Sequence, residues 1–142
     1  MDYKENILGC EVYYGLRKSV GWHNFSKEQT ERALANSLYT VTAFNENQAV
    51  GMGRLIGDGM YFIIADLVVH PDFQKRGIGR AIMDLLIGYV RRETPVEGRS
   101  SIQLIAEPGK EAFYEKRGFK RIPHEFCGSG MRKVIRRGTV KD

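Results

Sequence analysis

The stretch QKRGIGR, residues 74–80, decides the fold because it joins a strand pattern to a helix pattern. The apolar run DLVVHP at 66–71 precedes it, and AIMDLLIGYV at 81–90 follows it. In the second run the apolar residues recur every three or four positions, which is the spacing of one face of an α-helix. The sequence therefore predicts a buried strand, a short polar loop and an amphipathic helix in succession.

The composition of this loop predicts an anion site. The first turn of a helix has unpaired N–H groups and a partial positive charge. Gly77 and Gly79 have no Cβ to keep an anion from the backbone, and Lys75, Arg76 and Arg80 add charge, so the loop suits a pyrophosphate. The spacing fits neither a P-loop nor the three-glycine dinucleotide motif. A plain flexible turn remains the alternative.

Length and composition indicate one globular domain, residues 1–142, with 42% apolar residues and a net charge of +5. Cys10 and Cys127 are too few for a disulfide framework and lack metal-binding spacing. No apolar run approaches the ~20 residues of a membrane span, and the N-terminus is too polar for a signal peptide, so we expect a cytoplasmic location. The basic C-terminal third suits a phosphorylated ligand or nucleic acid, or is a solvated surface.

The remaining patterns predict a chain that alternates strands and helices. Ser26 and Gln29 form a capping box ahead of a helix that ends near residue 36. The strand, helix and strand between residues 60 and 106 predict a locally parallel pair. The predicted strands are 11–16, 38–44, 49–56, 60–70, 101–106, 119–122 and 131–135, and further helices are predicted at 77–92 and 110–117.

Two motifs resemble one enzyme family. QKRGIG resembles the (Gln/Arg)-x-x-Gly-x-(Gly/Ala) motif of the GCN5-related N-acetyltransferases (GNAT), and AFYEKRGF at 112–119 resembles their FYEKxGF segment. The likeness runs from about Tyr39 to Phe119. It implies the GNAT fold, an α/β (α+β) structure with a mixed, mostly antiparallel sheet that splays between the fourth and fifth strands and is flanked by about four helices.

The resemblance also implies a transferase that uses acetyl-CoA as co-substrate and needs no metal. Such an acyltransferase moves the acetyl group to a primary amine of a small molecule or peptide, by direct attack in a ternary complex. A catalytically silent acyl-CoA-binding regulatory protein is the alternative. The expected cofactor contacts are the pyrophosphate loop Gln74, Lys75, Arg76, Gly77, Ile78, Gly79 and Arg80, and the pantetheine strand Leu67, Val68 and Val69.

The resemblance assigns a catalytic role to Tyr114, whereas the base is a choice made where this chain departs from the family pattern. Tyr114 would protonate the departing thiolate, with an ordinary pKa near ~10. Relatives often carry a glutamate or histidine where this chain has Ala65, so Asp66 is the first choice for the general base, directly or through water. Glu107 replaces an asparagine that contacts CoA in relatives, and that contact is not carried over. Tyr114 could instead be a packing residue, and Asp66 a ligand of backbone amides.

The acceptor should approach from the side of the first loop and first helix. Trp22, His23, Phe25 and Tyr61 are the predicted substrate-binding residues, with core packing as the alternative. Asp58 could attract an ammonium group. The expected partners are acetyl-CoA and the amine, without nucleic acid or a membrane, and a homodimer through the C-terminal strands stays open. The sequence fixes neither the amine nor whether longer acyl-CoAs are accepted.

Overall fold

The computed structural model describes residues 1–138. The chain forms two compact units, one comprising Met1–Leu104 and the other beginning at Ile105, and each is described by itself. The single domain of residues 1–142 stays a prediction, and its last four residues lie outside the described range.

The first unit contains a five-stranded mixed sheet with strands in the order β1 to β5. Successive strands are antiparallel except β4 and β5, which are parallel, as the sequence predicts. The predicted fold class, an α/β structure with a mostly antiparallel sheet, is therefore confirmed. The strands are β1 Asp2–Glu5, β2 Tyr39–Asn45, β3 Gln48–Gly57, β4 Tyr61–Val69 and β5 Ser101–Gln103, and the unit's helices are α1 Cys10–Ser19, α2 Lys27–Ala35 and α3 Ile78–Glu93.

The predicted strand at 11–16 is wrong, because these residues belong to helix α1. Local β-propensity is overridden by packing: Tyr13 and Leu16, one helical turn apart, are both buried against the sheet, where a strand would place them on opposite faces. The true first strand, β1, was not predicted. Its residues are mostly exposed and polar, so they carry no alternating pattern, and pairing with β2 defines the strand.

Helix α3 lies close against the middle of the sheet. A Cβ added to Gly53 would stand 2.5 Å from Cγ2 of Ile82 and 3.0 Å from Cδ1 of Leu86. Gly53 therefore faces α3 and has room for no side chain there. Because side chains alternate along a strand, Arg54 points to the other face, toward α1.

The second unit holds helix α4, Glu111–Glu115, which is shorter than the predicted 110–117. The predicted strands at 119–122 and 131–135 are wrong. The first stretch is irregular and leads to an isolated bridge between His124 and Cys127, and the second has no ladder partner among residues 1–138. Apolar residues here stay exposed, Met131 by 94% and Ile135 by 80%, so no buried face supports strand pairing.

Candidate active site

The end of strand β4 has one unpaired edge within the sheet of the first unit. β5 pairs with β4 only over Tyr61–Ile63, because β5 ends at Gln103. Leu67, Val68 and Val69 remain paired to β3 on the other side. This geometry leaves one row of backbone groups for an extended ligand, which is the arrangement expected for pantetheine.

A bulge at Ala65 changes which way β4 points its side chains. Arg54 is opposite Asp66, but the next residue of β3, Leu55, is opposite Ile64, so Ala65 is the extra residue. Ile64 therefore faces α3, on the same side as Gly53, whereas Asp66 faces α1. The predicted base sits directly after this change of face.

The loop after β4 has the features of an anion cradle. Gly77 is the N-cap of α3 and adopts φ 85°, a left-handed conformation that favours glycine, and no side chain caps the helix. Lys75 is also left-handed, with φ 64°. The Gln74 amide donates to the carbonyl oxygen of Val69 over 3.0 Å, which fixes the loop to the end of β4. The first turn of α3 is thus open toward an anion.

Asp66 is buried and bound on both carboxylate oxygens. Oδ1 accepts from Arg17 at 2.8 Å, and Oδ2 accepts from Arg54 Nε at 2.8 Å and from the Tyr13 hydroxyl at 2.7 Å. Burial and the neighbouring carboxylate raise the pKa of Tyr13 to about 12, so its hydroxyl stays a donor. With both oxygens engaged by cations, Asp66 is poorly placed to take a proton from an amine. We call this set of four residues the Asp66 cluster.

Arg17 organises three of the four predicted acceptor-binding residues. Its guanidinium lies over the rings of Trp22 and Phe25, 5.2 and 5.5 Å from their centroids, and donates to the carbonyl oxygen of His23 at 2.7 Å. The structure thus brings Trp22, His23 and Phe25 together around the guanidinium group of Arg17. Tyr61 lies elsewhere, at the exposed start of β4 opposite Ser101.

Asp58 has a local role that the sequence did not reveal. Its Oδ1 accepts from the backbone N–H groups of Met60 and Tyr61, at 2.9 and 3.0 Å. These bonds lower the pKa of the carboxyl group. The side chain therefore shapes the turn between β3 and β4.

In the second unit, Tyr114 lies on α4 and is packed edge-on against Phe113 and Phe119, at centroid distances of 5.1 and 6.1 Å. Burial, followed by the nearby carboxylate of Glu107, raises its pKa above the ordinary value of 10.0. The phenol is therefore protonated at neutral pH, as a proton donor must be.

Sequence reasoning missed Arg17 and Arg54 as parts of the site. Arg17 was assigned to the segment after the first predicted strand and Arg54 to the strand at 49–56, and Tyr13, a possible lining residue of the acceptor pocket, was assigned to a strand and not to a helix. The one usable signal was that a buried aspartate needs hydrogen-bond donors, but the sequence does not indicate which residues donate.

Comparison with known proteins decides the family. Residues 11–135 match the family model described as the acetyltransferase (GNAT) domain. The chain belongs to the GNAT family. The predicted family is thus confirmed, and so is acetyl-CoA as co-substrate, since GNAT acetyltransferases use it.

Individual relatives agree with this GNAT assignment. An uncharacterized N-acetyltransferase, ycf52, of Porphyra purpurea is 36% identical over 128 residues, covering 85% of this chain and 71% of the relative. The chloroplastic serotonin N-acetyltransferase 2 of rice is 33% identical over 114 residues, covering 77% of this chain and 55% of the relative. The family model and these relatives confirm the prediction that the chain is an N-acetyltransferase.

A solved structure shares the GNAT fold. The probable acetyltransferase SA2161 from meticillin-resistant Staphylococcus aureus superposes with a TM-score of 0.81 at 30% identity, over 94% of this chain and 98% of that one. Residues 1–138 hold no group of three or more His, Cys, Asp or Glu side chains arranged for a metal ion, and no helix in this range is long and apolar enough to cross a membrane.

Proposed function

We propose that the chain transfers an acetyl group from acetyl-CoA to the primary amine of a small molecule or peptide. The observation that carries this proposal is the continuity of the unpaired edge of β4 with the loop at the start of α3. Leu67–Val69 would pair with the pantetheine amides, and the loop from Gln74 to Arg80 would hold the pyrophosphate with its N–H groups.

The reaction is a direct attack in a ternary complex. The amine nitrogen forms a bond to the thioester carbonyl carbon, the carbon–sulfur bond breaks, the nitrogen loses a proton and the thiolate gains one. A backbone N–H of β4 near Leu67 would polarise the carbonyl. Tyr114 would supply the proton to sulfur, which its raised pKa allows at neutral pH.

Asp66 acts as a positioning residue in this proposal and not as the base. Its two oxygens serve Arg17, Arg54 and Tyr13, and they hold α1 beside the strand that would receive acetyl-CoA. The amine's proton would then leave through water. The regulatory alternative draws support from the same observation, because a silent acyl-CoA binder needs no base.

A thiol-release screen across amines tests the proposal. The rice relative is named for serotonin, so indole-ethylamines belong in the panel beside amino acids, polyamines, amino sugars and peptides. We expect turnover with at least one amine and micromolar binding of acetyl-CoA in calorimetry. Tight binding without turnover on any amine would support the regulatory alternative, and no binding would refute both.

Location and assembly also belong to the proposal. The cytoplasmic location stays a proposal, because the rice relative is named as chloroplastic. A homodimer through the second unit would cover its exposed apolar residues, such as Phe126 at 87% exposure. Light scattering of the purified chain distinguishes a dimer from a monomer.

A further inference from the structure

The first unit contains a cleft that the acetyl-CoA site does not use. It lies between α1, α2 and β3 and has a volume of about 350 Å³. Pockets for small ligands begin at about this size. Two arginines, Arg32 and Arg54, lie in its wall, and no aspartate or glutamate is among its described lining residues.

The charge beside this cleft is not balanced. Arg17 and Arg54 share a single carboxylate, Asp66, and both guanidinium side chains are only 12% exposed. The Tyr13 phenol cannot supply the missing negative charge, because its pKa is raised to about 12. The Asp66 cluster therefore keeps one excess positive charge in a mostly buried position, where unpaired charge is costly.

Arg32 adds a second cation to the same wall. It lies on α2 and is exposed, and no ion pair joins it to an acid among residues 1–138. Thr30, on the same helix, is 2% exposed, and its hydroxyl has no hydrogen-bond partner in the described structure. The wall thus combines the exposed cation of Arg32 with the excess positive charge at Arg54.

The apolar part of the cleft is held in place. The Tyr13 hydroxyl is bound to Asp66, and the carbonyl oxygen of Phe25 accepts from the Tyr14 hydroxyl at 2.9 Å. Arg17 lies over the rings of Tyr13 and Phe25, at 5.5 Å from each centroid. Two aromatic walls fixed in this way suit a flat apolar body with little ordering cost on binding.

We propose that the cleft binds a small organic acid, with its carboxylate toward Arg54 and Arg32 and its apolar body against Tyr13 and Phe25. The site is independent of the acetyl-CoA site, so it can be tested without acetyl transfer. The acid is either a carboxylate on the acceptor amine itself or a separate effector, and the recognition chemistry is the same in both cases.

Binding of phenylacetate to the full chain, measured by NMR titration without acetyl-CoA, tests the site. Phenylacetamide has nearly the same shape without the charge, and phenethylamine carries the opposite charge. We expect phenylacetate to bind roughly tenfold more tightly than phenylacetamide, and phenethylamine more weakly than either. Equal binding of the acid and the amide, or binding of neither, would overturn the proposal.

Variants locate the ligand in this cleft. Arg32→Gln should weaken phenylacetate binding about fivefold or more, because it removes the exposed cation of the cleft wall. Lys27→Gln is the matched control, since Lys27 lies on the same helix, is 76% exposed in its side chain and does not line the cleft. If Arg32→Gln and Lys27→Gln weaken phenylacetate binding equally, the affinity depends only on the overall surface charge, and the proposed site is contradicted.

Competition identifies the source of the acid. If phenylalanine is acetylated and phenylacetate competes with it, the cleft holds the acceptor's own carboxylate. If phenylacetate binds but does not compete with any amine that is acetylated, the cleft holds a separate effector. Either result supports the site. A variant that loses acetyl-CoA binding but still binds phenylacetate would contradict only the proposed function.

Discussion

Arg17 on α1 and Asp66 on β4 stand 49 positions apart in the chain and are joined by a 2.8 Å ion pair. Through this contact, one carboxylate joins helix α1 and the loop that follows it to strand β4. The same arginine contacts Trp22, His23 and Phe25, so the segment proposed to bind the acceptor is tied to the strand proposed to bind acetyl-CoA.

Removing the carboxylate should destabilise the chain strongly. Asp66→Ala leaves Arg17 and Arg54 mostly buried without a counter-ion, and we expect the free energy of unfolding to fall by about 3–5 kcal/mol. Urea unfolding followed by circular dichroism measures this. Asp2→Ala is the control, because Asp2 is exposed and its contact with Lys4 is 4.0 Å. A loss for Asp66→Ala no greater than for the control would show that the Asp66 cluster contributes little.

The only tryptophan of the chain reports on the Arg17 contacts. Arg17→Lys keeps the charge but loses the planar group that lies over Trp22, so we expect red-shifted emission and stronger quenching by acrylamide. Lys18→Arg, at the neighbouring exposed position, should leave the emission unchanged. Emission of Arg17→Lys identical to the wild type would show that the loop is held by other contacts.

Stability should fall at alkaline pH because of Tyr13. In the folded chain its pKa is raised to about 12, whereas an unfolded tyrosine loses its proton near 10. Between these values only the unfolded state releases the proton, so the free energy of unfolding drops as pH rises, by about 3 kcal/mol in total. We would measure the free energy of unfolding by denaturation at a series of pH values. The decrease between about pH 10 and 12 should appear in the wild type and in Tyr61→Phe but not in Tyr13→Phe. The same slope in all three would rule Tyr13 out as its source.

A carboxylate in the first turn of α3 should abolish acetyl-CoA binding without unfolding the chain. Gly79→Asp places negative charge beside the proposed pyrophosphate site, while an acidic residue near a helix N-terminus is itself stabilising. Gly79→Ala introduces a Cβ without the charge and is the matched comparison. Calorimetry should give a much larger loss for Asp than for Ala, with thermal stability retained in both. Normal affinity of Gly79→Asp would refute the pyrophosphate site.

Loss of the Tyr114 hydroxyl should lower kcat and leave acetyl-CoA affinity nearly unchanged. General acid catalysis contributes about 10²–10⁴-fold in rate, so Tyr114→Phe should fall in that range. Because the pKa of Tyr114 is raised above its ordinary value, loss of this proton should not limit the wild-type rate at neutral or mildly alkaline pH. Tyr3→Phe, on β1, is the control. An unchanged kcat would remove Tyr114 from the mechanism.

The strand, loop and helix proposed to bind acetyl-CoA could be predicted from the sequence as structural elements, because their signals are local. The loop 74–80 and the flanking strand and helix are contiguous, and neighbouring residues alone define their pattern. The Asp66 cluster could not be predicted, since it joins residues from α1, β3 and β4 whose proximity depends on the complete sheet. Helix α1 was mistaken for a strand for the same reason: Tyr13 and Leu16 favour a helix only once the sheet is there to bury them.

The extra residue at Ala65 allows one strand of nine residues to serve two incompatible surroundings. If the strand alternated strictly through this point, Ile64 and Asp66, two positions apart, would lie on the same face, so one of them would be on the wrong side of the sheet. Because Ala65 is the residue without a partner on β3, its deletion would leave Ile64 and Asp66 adjacent and still on opposite faces, whereas one further residue inserted in the strand would turn half of it to the wrong face. The irregular pairing at a single residue, and not only the composition of the strand, keeps charged and aliphatic side chains on separate sides of the sheet.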